Sequence, residues 1–364
     1  MTYATAGVDV EAGDRAVELM RAAVARTHGP QVLGGIGGFA GLFDAAELLA
    51  YRRPLLASST DGVGTKLAIA QALDRHDTVG FDLVAMVVDD IVVCGARPLF
   101  MTDYIACGRV VPERIAAIVT GIAAACEQAG CALTGGETAE HPGLMRPDEY
   151  DLAGAAVGVV EADELLGPHR VRAGDVVLGM ASSGLHSNGF SLVRRVLQVA
   201  GWTYERSVAE FGRTLGEELL EPTRVYAADV VDLAGALGPA LHAVSHVTGG
   251  GLAANLARVL PRELEAVVDR ASWTPAPVFH VIAGLGAVPR ADLERTLNVG
   301  VGMIAVVDAA HADVAVARLA GRGVPTWPLG EVGAPREDLP GDVTQGAKGV
   351  DGGQVRVVGE HPRA

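Results

Sequence analysis

Apolar residues recur at 16, 17, 19, 20, 23 and 24 within "DRAVELMRAAVART" (14–27), which puts them on one side of a helix. "GGIGG" at 34–38 forces a flexible or tightly turned segment, and "PLLASST" (54–60) reads as a strand entering "DGVGTK". Residues 82–94 form an apolar helix that Gly95 ends, and "LFMTDYIA" (99–106) reads as a strand. Residues 112–129 predict a helix, with Pro112 at the start, apolar positions at 115, 118, 119, 122 and 126, and Gly130 as the stop. "CALTGGE" (131–137) and "YDLAGAAVGVVE" (150–161) read as further strands.

The turn signal "GPHRVRAGD" (167–175) sets a domain boundary, giving domains over 1–170 and 171–364. Beyond it, strand, Gly/Ser loop and helix follow one another twice. The first set is "DVVLGMA", "SSGLHSNG" and "FSLVRRVLQVA"; the second is "LHAVSHV", "TGGG" and "LAANLARVL". A strand "VGMIAVVD" (301–308) comes later, and the polar, Gly-rich stretch 334–354 reads as a long surface loop before a last short strand, "VRVVG". Alternating strands and helices in both halves give the class as α/β or α+β, with parallel and mixed sheets both open.

Composition narrows the function. The net charge of -15 disfavours nucleic acid and anionic membranes as partners. No window of 18 uninterrupted apolar residues marks a membrane span, and the acidic N-terminus does not read as a secretory signal. Cys94, Cys107, Cys126 and Cys131 lie in apolar stretches without a Cys-x-x-Cys pair, so they are expected as free thiols, in keeping with a cytoplasmic protein.

The chemistry gathers in loops. "STDGVGTK" offers Gly62, Gly64, Thr65 and Lys66 to an anion, yet opens on a carboxylate, Asp61. On the wheel of helix 82–94, Asp89 and Asp82 point away from the apolar face and Asp90 lies at its edge. Asp89 is therefore expected in solvent. Asp90 is expected against protein, facing a metal ion or pairing with a cation such as Arg97. Glu137, after Gly136 at a strand end, is either a third metal ligand or a cap on the following turn. Oxygen ligands alone suit Mg²⁺, so Asp61, Asp90 and Glu137 could hold Mg²⁺ while the metal holds phosphates. In the second half, Asn188 is expected to cap the helix after "SSGLHSNG", and amides there and in "HVTGGGL" attract phosphate. His186 and His246 beside these loops serve either as proton shuttles or as structural hydrogen-bonding groups.

These segments, with "AGVDVEAGDRAV", "GGIGGFAGLF", "HDTVGFDLVAM", "GARPLFMTDYIACG", "GGETAEHPG" and "LNVGVGM", strongly resemble the phosphoribosylformylglycinamidine cyclo-ligases in order, from near residue 7 to about 330. The loop and acid pattern of the first half is shared with a wider ATP-using superfamily. The resemblance implies a two-domain fold and an ATP- and Mg²⁺-dependent closure of formylglycinamidine ribonucleotide to aminoimidazole ribonucleotide, the fifth step of purine synthesis. It also implies a homodimer paired through the first-domain sheets, with part of the site across two chains.

Carried over by residue, Asp61, Asp90 and Glu137 match the Mg²⁺–ATP ligands, and Gly62, Gly64, Thr65, Lys66 and Gly136 the nucleotide-binding positions. Ser183, Gly184, Ser187, Asn188, His246, Thr248, Gly249 and Gly250 match substrate or phosphate contacts, and Lys66 and His186 are the catalytic candidates. The chain departs from the family pattern at Asp89, where Asn is usual, at Arg109, where Lys is frequent, and at Val299, where Cys is common. Two rival readings are a superfamily kinase of a small phosphate ester and a silent nucleotide-binding paralogue.

Overall fold

The computed structural model describes residues 9–35, 37–347 and 349–362; Ile36 of the glycine arm and the first eight residues lie outside them. The chain divides into two compact units: Met1–Val92 with Ala96–Ala162 and Val225–Ala228, and Val93–Gly95 with Asp163–Arg224 and Asp229–Ala364. A four-residue segment, Val225–Ala228, thus returns to the first unit from deep within the second half of the sequence.

In the first unit the elements are α1 (Val10–Arg26), β1 (Val32–Leu33), β2 (Leu42–Phe43), β3 (Pro54–Gly62), α2 (Leu67–Leu73), α3 (Val79–Val92), β4 (Arg97–Cys107), α4 (Pro112–Ala129), β5 (Ala132–Glu140) and β6 (Tyr150–Glu161). Helix α1 begins four residues before its apolar stripe because the Asp9 side chain accepts the Ala12 amide hydrogen and so caps it. Helix α4 runs over the span its pattern predicts, with Pro112 in its first turn and Gly130 closing it in the left-handed region at φ 67°. Helices α3 and α4 cross closely: a Cβ on Gly80 would stand 2.1 Å from the Ile122 nitrogen, so only glycine fits.

The sheet order is β3-β6-β4-β5, antiparallel except for the parallel β4–β5 pair. Met101, Ile105, Leu133, Leu152 and Ala156 are buried. The other face carries Leu56, 63% exposed, and Tyr104, 42% exposed. Ser58, Val157 and Phe100 follow one another in cross-strand register on that same face.

The second unit contains β7 (Val176–Ala181), α5 (Phe190–Ala200), β8 (Ser207–Val208), β9 (Arg213–Thr214), α6 (Leu215–Leu219), α7 (Ala227–Leu237, whose first two residues belong to the first unit), β10 (Leu241–His246), α8 (Gly251–Ala257), β11 (Glu265–Asp269), α9 (Pro277–Gly286), α10 (Arg290–Thr296), β12 (Val301–Val307), α11 (Ala312–Gly321), β13 (Thr326–Gly333), β14 (Asp342–Ala347) and β15 (Val350–Val358). A seven-stranded sheet of order β10-β12-β7-β13-β11-β15-β14 is antiparallel apart from the β11–β15 pair. Leu256 and Leu260 meet Val177, Ile304, Val306, Val268 and Val355 in its core. Both sheets are therefore mixed, and the α+β alternative describes them better than a parallel α/β arrangement.

The stretch 334–354 is not one long loop: it holds β14 and the start of β15. Glu265, fully buried on β11, pins this region. It accepts from the Arg336 amide at 2.6 Å, Gln354 Nε2 at 2.7 Å and Arg356 Nε at 2.8 Å. A buried carboxylate with three donors is well compensated, which is why a polar, Gly-rich sequence is held in place.

Candidate active site

Strand β3 carries the chain through Asp61 and Gly62 into a tight turn over Gly64–Lys66. Asp61 is exposed, and its Oδ1 accepts the Gly62 amide hydrogen at 2.7 Å. Gly64 and Thr65 are exposed, with Gly64 at φ 75°. Lys66 departs from the expected cradle. Its side chain is fully buried, and Nζ lies 2.7 Å from Asp82 Oδ1, which is equally buried. As it stands here, the lysine supports the loop from beneath.

The wheel reading of α3 is corrected at three acids. Asp82 and Asp89 are both wholly buried, whereas Asp90 is exposed. The reason is that α3 has almost no solvent face: of its 14 residues only Phe81 and Asp90 escape burial. A two-sided wheel misreads a helix enclosed on nearly every side. Asp89 accepts the Tyr226 amide hydrogen at 3.0 and 3.2 Å, at the segment that returns from the second half of the sequence. Arg97, the cation offered to Asp90, bonds Glu47 at 2.8 Å.

Gly136 and Glu137 are exposed on edge strand β5. The capping alternative for Glu137 falls instead to Glu140, whose oxygens accept the Asp9 and Val110 amide hydrogens at 2.7 and 2.6 Å. Asp61 and Glu137 lie on opposite edge strands, about 14 Å apart at the usual strand spacing. Among the described residues no three His, Cys, Asp or Glu side chains form a group that could hold a metal ion. The three predicted ligands therefore do not converge within one chain.

A residue the sequence reading passed over lies between them. Asp61, Gly154, Asp103 and Gly136 form one row across the sheet. Asp103 is 8% exposed, and burial pushes its carboxyl up to about 7. A Cβ on Gly136 would stand 2.1 Å from its Oδ1, so glycine there makes room for the acid. The signal was present: in "LFMTDYIA" every second residue from Met101 points inward, and Asp103 falls on that face. Asp103, Tyr104, Gly136 and Glu137 line a cavity of about 760 Å³ with the glycine arm at 37–41 and α1.

In the second unit the two predicted loops meet. Gly249 donates its amide hydrogen to Asn188 Oδ1 at 3.1 Å, while the N-cap of α5 is Gly189. Asn188 thus joins the two loops, one residue before the N-cap position. His186 is 2% exposed at φ 62°, and its Nε2 accepts the Ser183 amide hydrogen at 3.1 Å. That fixes the neutral tautomer with the proton on Nδ1 and commits the ring to loop shape. Ser183 Oγ donates to the Pro222 carbonyl at 2.6 Å and accepts from the Arg224 amide at 3.1 Å. Ser187 and His246 are buried. Two asparagines not singled out in the sequence complete the arrangement. Asn298 donates to the Gly184 carbonyl at 2.9 Å and accepts from the Gly300 amide at 2.8 Å. Asn255 donates to the carbonyls of Thr248 and Gly251 at 3.1 and 2.8 Å.

Residues 44–160 match the family described as AIR synthase related protein, N-terminal domain, and residues 172–339 match its C-terminal domain. A phosphoribosylformylglycinamidine cyclo-ligase of Thermosynechococcus vestitus is 51% identical over 91% of this chain and 96% of its own. That of Sorangium cellulosum is 52% identical over 91% and 95%. This chain belongs to the phosphoribosylformylglycinamidine cyclo-ligase family. The fold is shared more widely. A thiamine-monophosphate kinase from Stenotrophomonas maltophilia K279a superposes with a TM-score of 0.64 at 21% identity, over 96% of this chain and 97% of that one. The hydrogenase maturation protein HypE of E. coli gives 0.61 at 16% identity, over 88% and 90%. Membership of the cyclo-ligase family makes the chain an enzyme, a ligase of small molecules. Among the described residues no helix is long and apolar enough to cross a membrane.

Proposed function

We propose that the chain uses ATP to convert formylglycinamidine ribonucleotide into 5-aminoimidazole ribonucleotide, ADP and phosphate, the fifth step of purine synthesis in the cytoplasm. The observation that carries this reading is 51% identity to a named cyclo-ligase over 91% of the chain. In the reaction the formyl oxygen attacks the γ-phosphorus and ADP leaves. The amidine nitrogen then attacks the resulting iminophosphate carbon, a proton is lost from nitrogen, and phosphate departs with the former formyl oxygen. An amide oxygen leaves poorly and a phosphate leaves well, so the protein mainly positions the two ends and neutralises charge.

The exposed turn at Gly62, Gly64 and Thr65 presents backbone amides to the nucleotide phosphates. The donor chemistry fits Mg²⁺: Asp61, Asp90 and Glu137 are exposed carboxylates with no nitrogen or sulfur donor among them. When bound, Mg²⁺ would neutralise phosphate oxygens. Loops 182–189 and 248–251, joined through Asn188, take the ribonucleotide, and His186 holds the first of them in shape. The sheet face with Leu56, Phe100, Tyr104 and Val157 suits pairing with a second copy, which would bring the opposite-edge acids of two chains into one site.

The test is turnover of formylglycinamidine ribonucleotide with ATP and Mg²⁺, trapping the aromatic amine. Amine formation that is lost in Asp90→Asn with the fold unchanged supports the reading. ADP release with a phosphorylated, unclosed product favours the kinase alternative, and ATP turnover near background favours the silent one. Either result overturns the assignment.

A further inference from the structure

A second cavity, of about 470 Å³, opens within the second unit between α8, α10, β14 and the segment after β15 that carries His361. None of the loop residues assigned to substrate above lines it except Gly250. Its walls are Leu252, Val343, Val299 and the indole of Trp273. Val299 is a β-branched residue at φ 48°, a conformation that costs about 1–3 kcal/mol and tends to persist at ligand sites. The Trp273 Nε1 hydrogen bond to the Val299 carbonyl, at 2.9 Å, holds it there.

The polar groups in the lining divide into those already neutralised and those left over. Both Glu294 oxygens accept from Arg270, at 2.7 and 2.8 Å, and Asp342 Oδ2 accepts from the same guanidinium at 2.6 Å. Burial pushes the Glu294 carboxyl up, but Arg270, with His361 beside it, holds it down at about 2, so it stays ionised. Arg295, by contrast, lines the cavity and its side chain makes no ion pair among the described residues. His361 donates from Nδ1 to the Arg270 carbonyl at 3.1 Å. This leaves Nε2 as an acceptor, buried, without a hydrogen-bond partner among the described residues, and 3.8 Å from Glu294 Oε1. The ring stands edge-on to Trp273, with centroids 4.5 Å apart.

We propose that this cavity is a binding site for a planar heteroaromatic acid: a ring of one or two cycles bearing an N–H and an anionic group. The volume lies within the range of small-molecule sites, about 300–1,000 Å³. The apolar walls take the ring, His361 Nε2 accepts its N–H, and the Arg295 guanidinium pairs with the anion. The cavity touches the substrate loops only through Gly250 and Asn298 among the residues described there, and it is tested by binding alone.

Indole-3-acetate carries all three features and serves as the probe, with naphthalene-1-acetate lacking the N–H and tryptamine lacking the anion. Titration calorimetry on the full chain should show saturable binding of indole-3-acetate at one site per chain. Binding of each comparison compound should be weaker by about tenfold, the worth of one charge-assisted or buried hydrogen bond. Arg295→Gln should weaken indole-3-acetate by a similar factor. His361→Phe should abolish the preference for indole over naphthalene while retaining the edge-on ring. Ala253→Trp should fill the cavity and remove binding; where that variant fails to fold, Arg295→Gln and His361→Phe still decide. No saturable heat with millimolar probe, equal affinity for the three compounds, or affinity unchanged in Arg295→Gln would overturn the site.

Discussion

The Asp89 carboxylate accepts the Tyr226 amide hydrogen at 3.0 and 3.2 Å across 137 residues of sequence, in a place with no solvent exposure. Removing the acceptor leaves a buried N–H unsatisfied, so Asp89→Ala should cost about 2–3 kcal/mol. Asp89→Asn keeps one acceptor oxygen and restores the residue usual in the family, so it should cost about 1 kcal/mol or less. Urea unfolding of the two variants checks this; equal midpoints for both would mean that the contact does not hold the returning segment.

Lys66 and Asp82 make a buried pair at 2.7 Å, and breaking such a pair strands a charge. Lys66→Met should lower stability by about 3–5 kcal/mol. Removing both charges in Lys66→Met with Asp82→Leu should recover most of that loss without restoring ring closure. A double variant as unstable as the single one would show that the lysine's contribution to the fold does not run through Asp82.

Asp103 gives a pH signature. Its folded-state pKa is raised from 3.8 to about 7 by burial, so the folded protein holds this proton more tightly than the unfolded chain does. The contribution to stability is fully present below about pH 4 and is lost as pH rises towards 7. Asp103→Asn removes that slope. In metal-free buffer its melting temperature relative to the parent should therefore climb between about pH 4 and pH 7 and stay level above. A difference that does not change with pH would show that the carboxyl ionises as it does in water.

Ala287 ends α9 at φ 45° and is exposed. An L-residue with a Cβ is strained in the left-handed region, and glycine is not. Ala287→Gly should raise stability by about 1 kcal/mol, read from thermal melts.

Much of the fold could be read from apolar spacing because it is set locally. The 112–129 helix is fixed by its own proline, glycine and apolar positions, and strand 150–161 by its run of small and branched residues. What escaped the sequence depends on groups distant along the chain. Asp89 and Asp82 belong outside on a wheel, and partners such as Tyr226 and Lys66 bring them in. Polar 334–354 reads as a loop until Glu265 supplies the acceptor that orders it. The glycine loops were legible as a pair, but their link through Asn188 was not, since local rules favour an asparagine there as a cap. The acids proposed for the metal were legible as residue types, whereas the placement of Asp61 and Glu137 at opposite edges follows from strand order.

Strand order also bears on how the protein is made. Strand β15 leaves the ribosome after the six other strands of the larger sheet, yet it lies inside that sheet, between β11 and β14. Until it emerges, β11 keeps an open edge and the buried Glu265 lacks Gln354 and Arg356. A nascent chain stalled before β15 has emerged would therefore expose the strand edge that chaperones and aggregates both recognise, and the arrival of β15 becomes the step that seals the second unit.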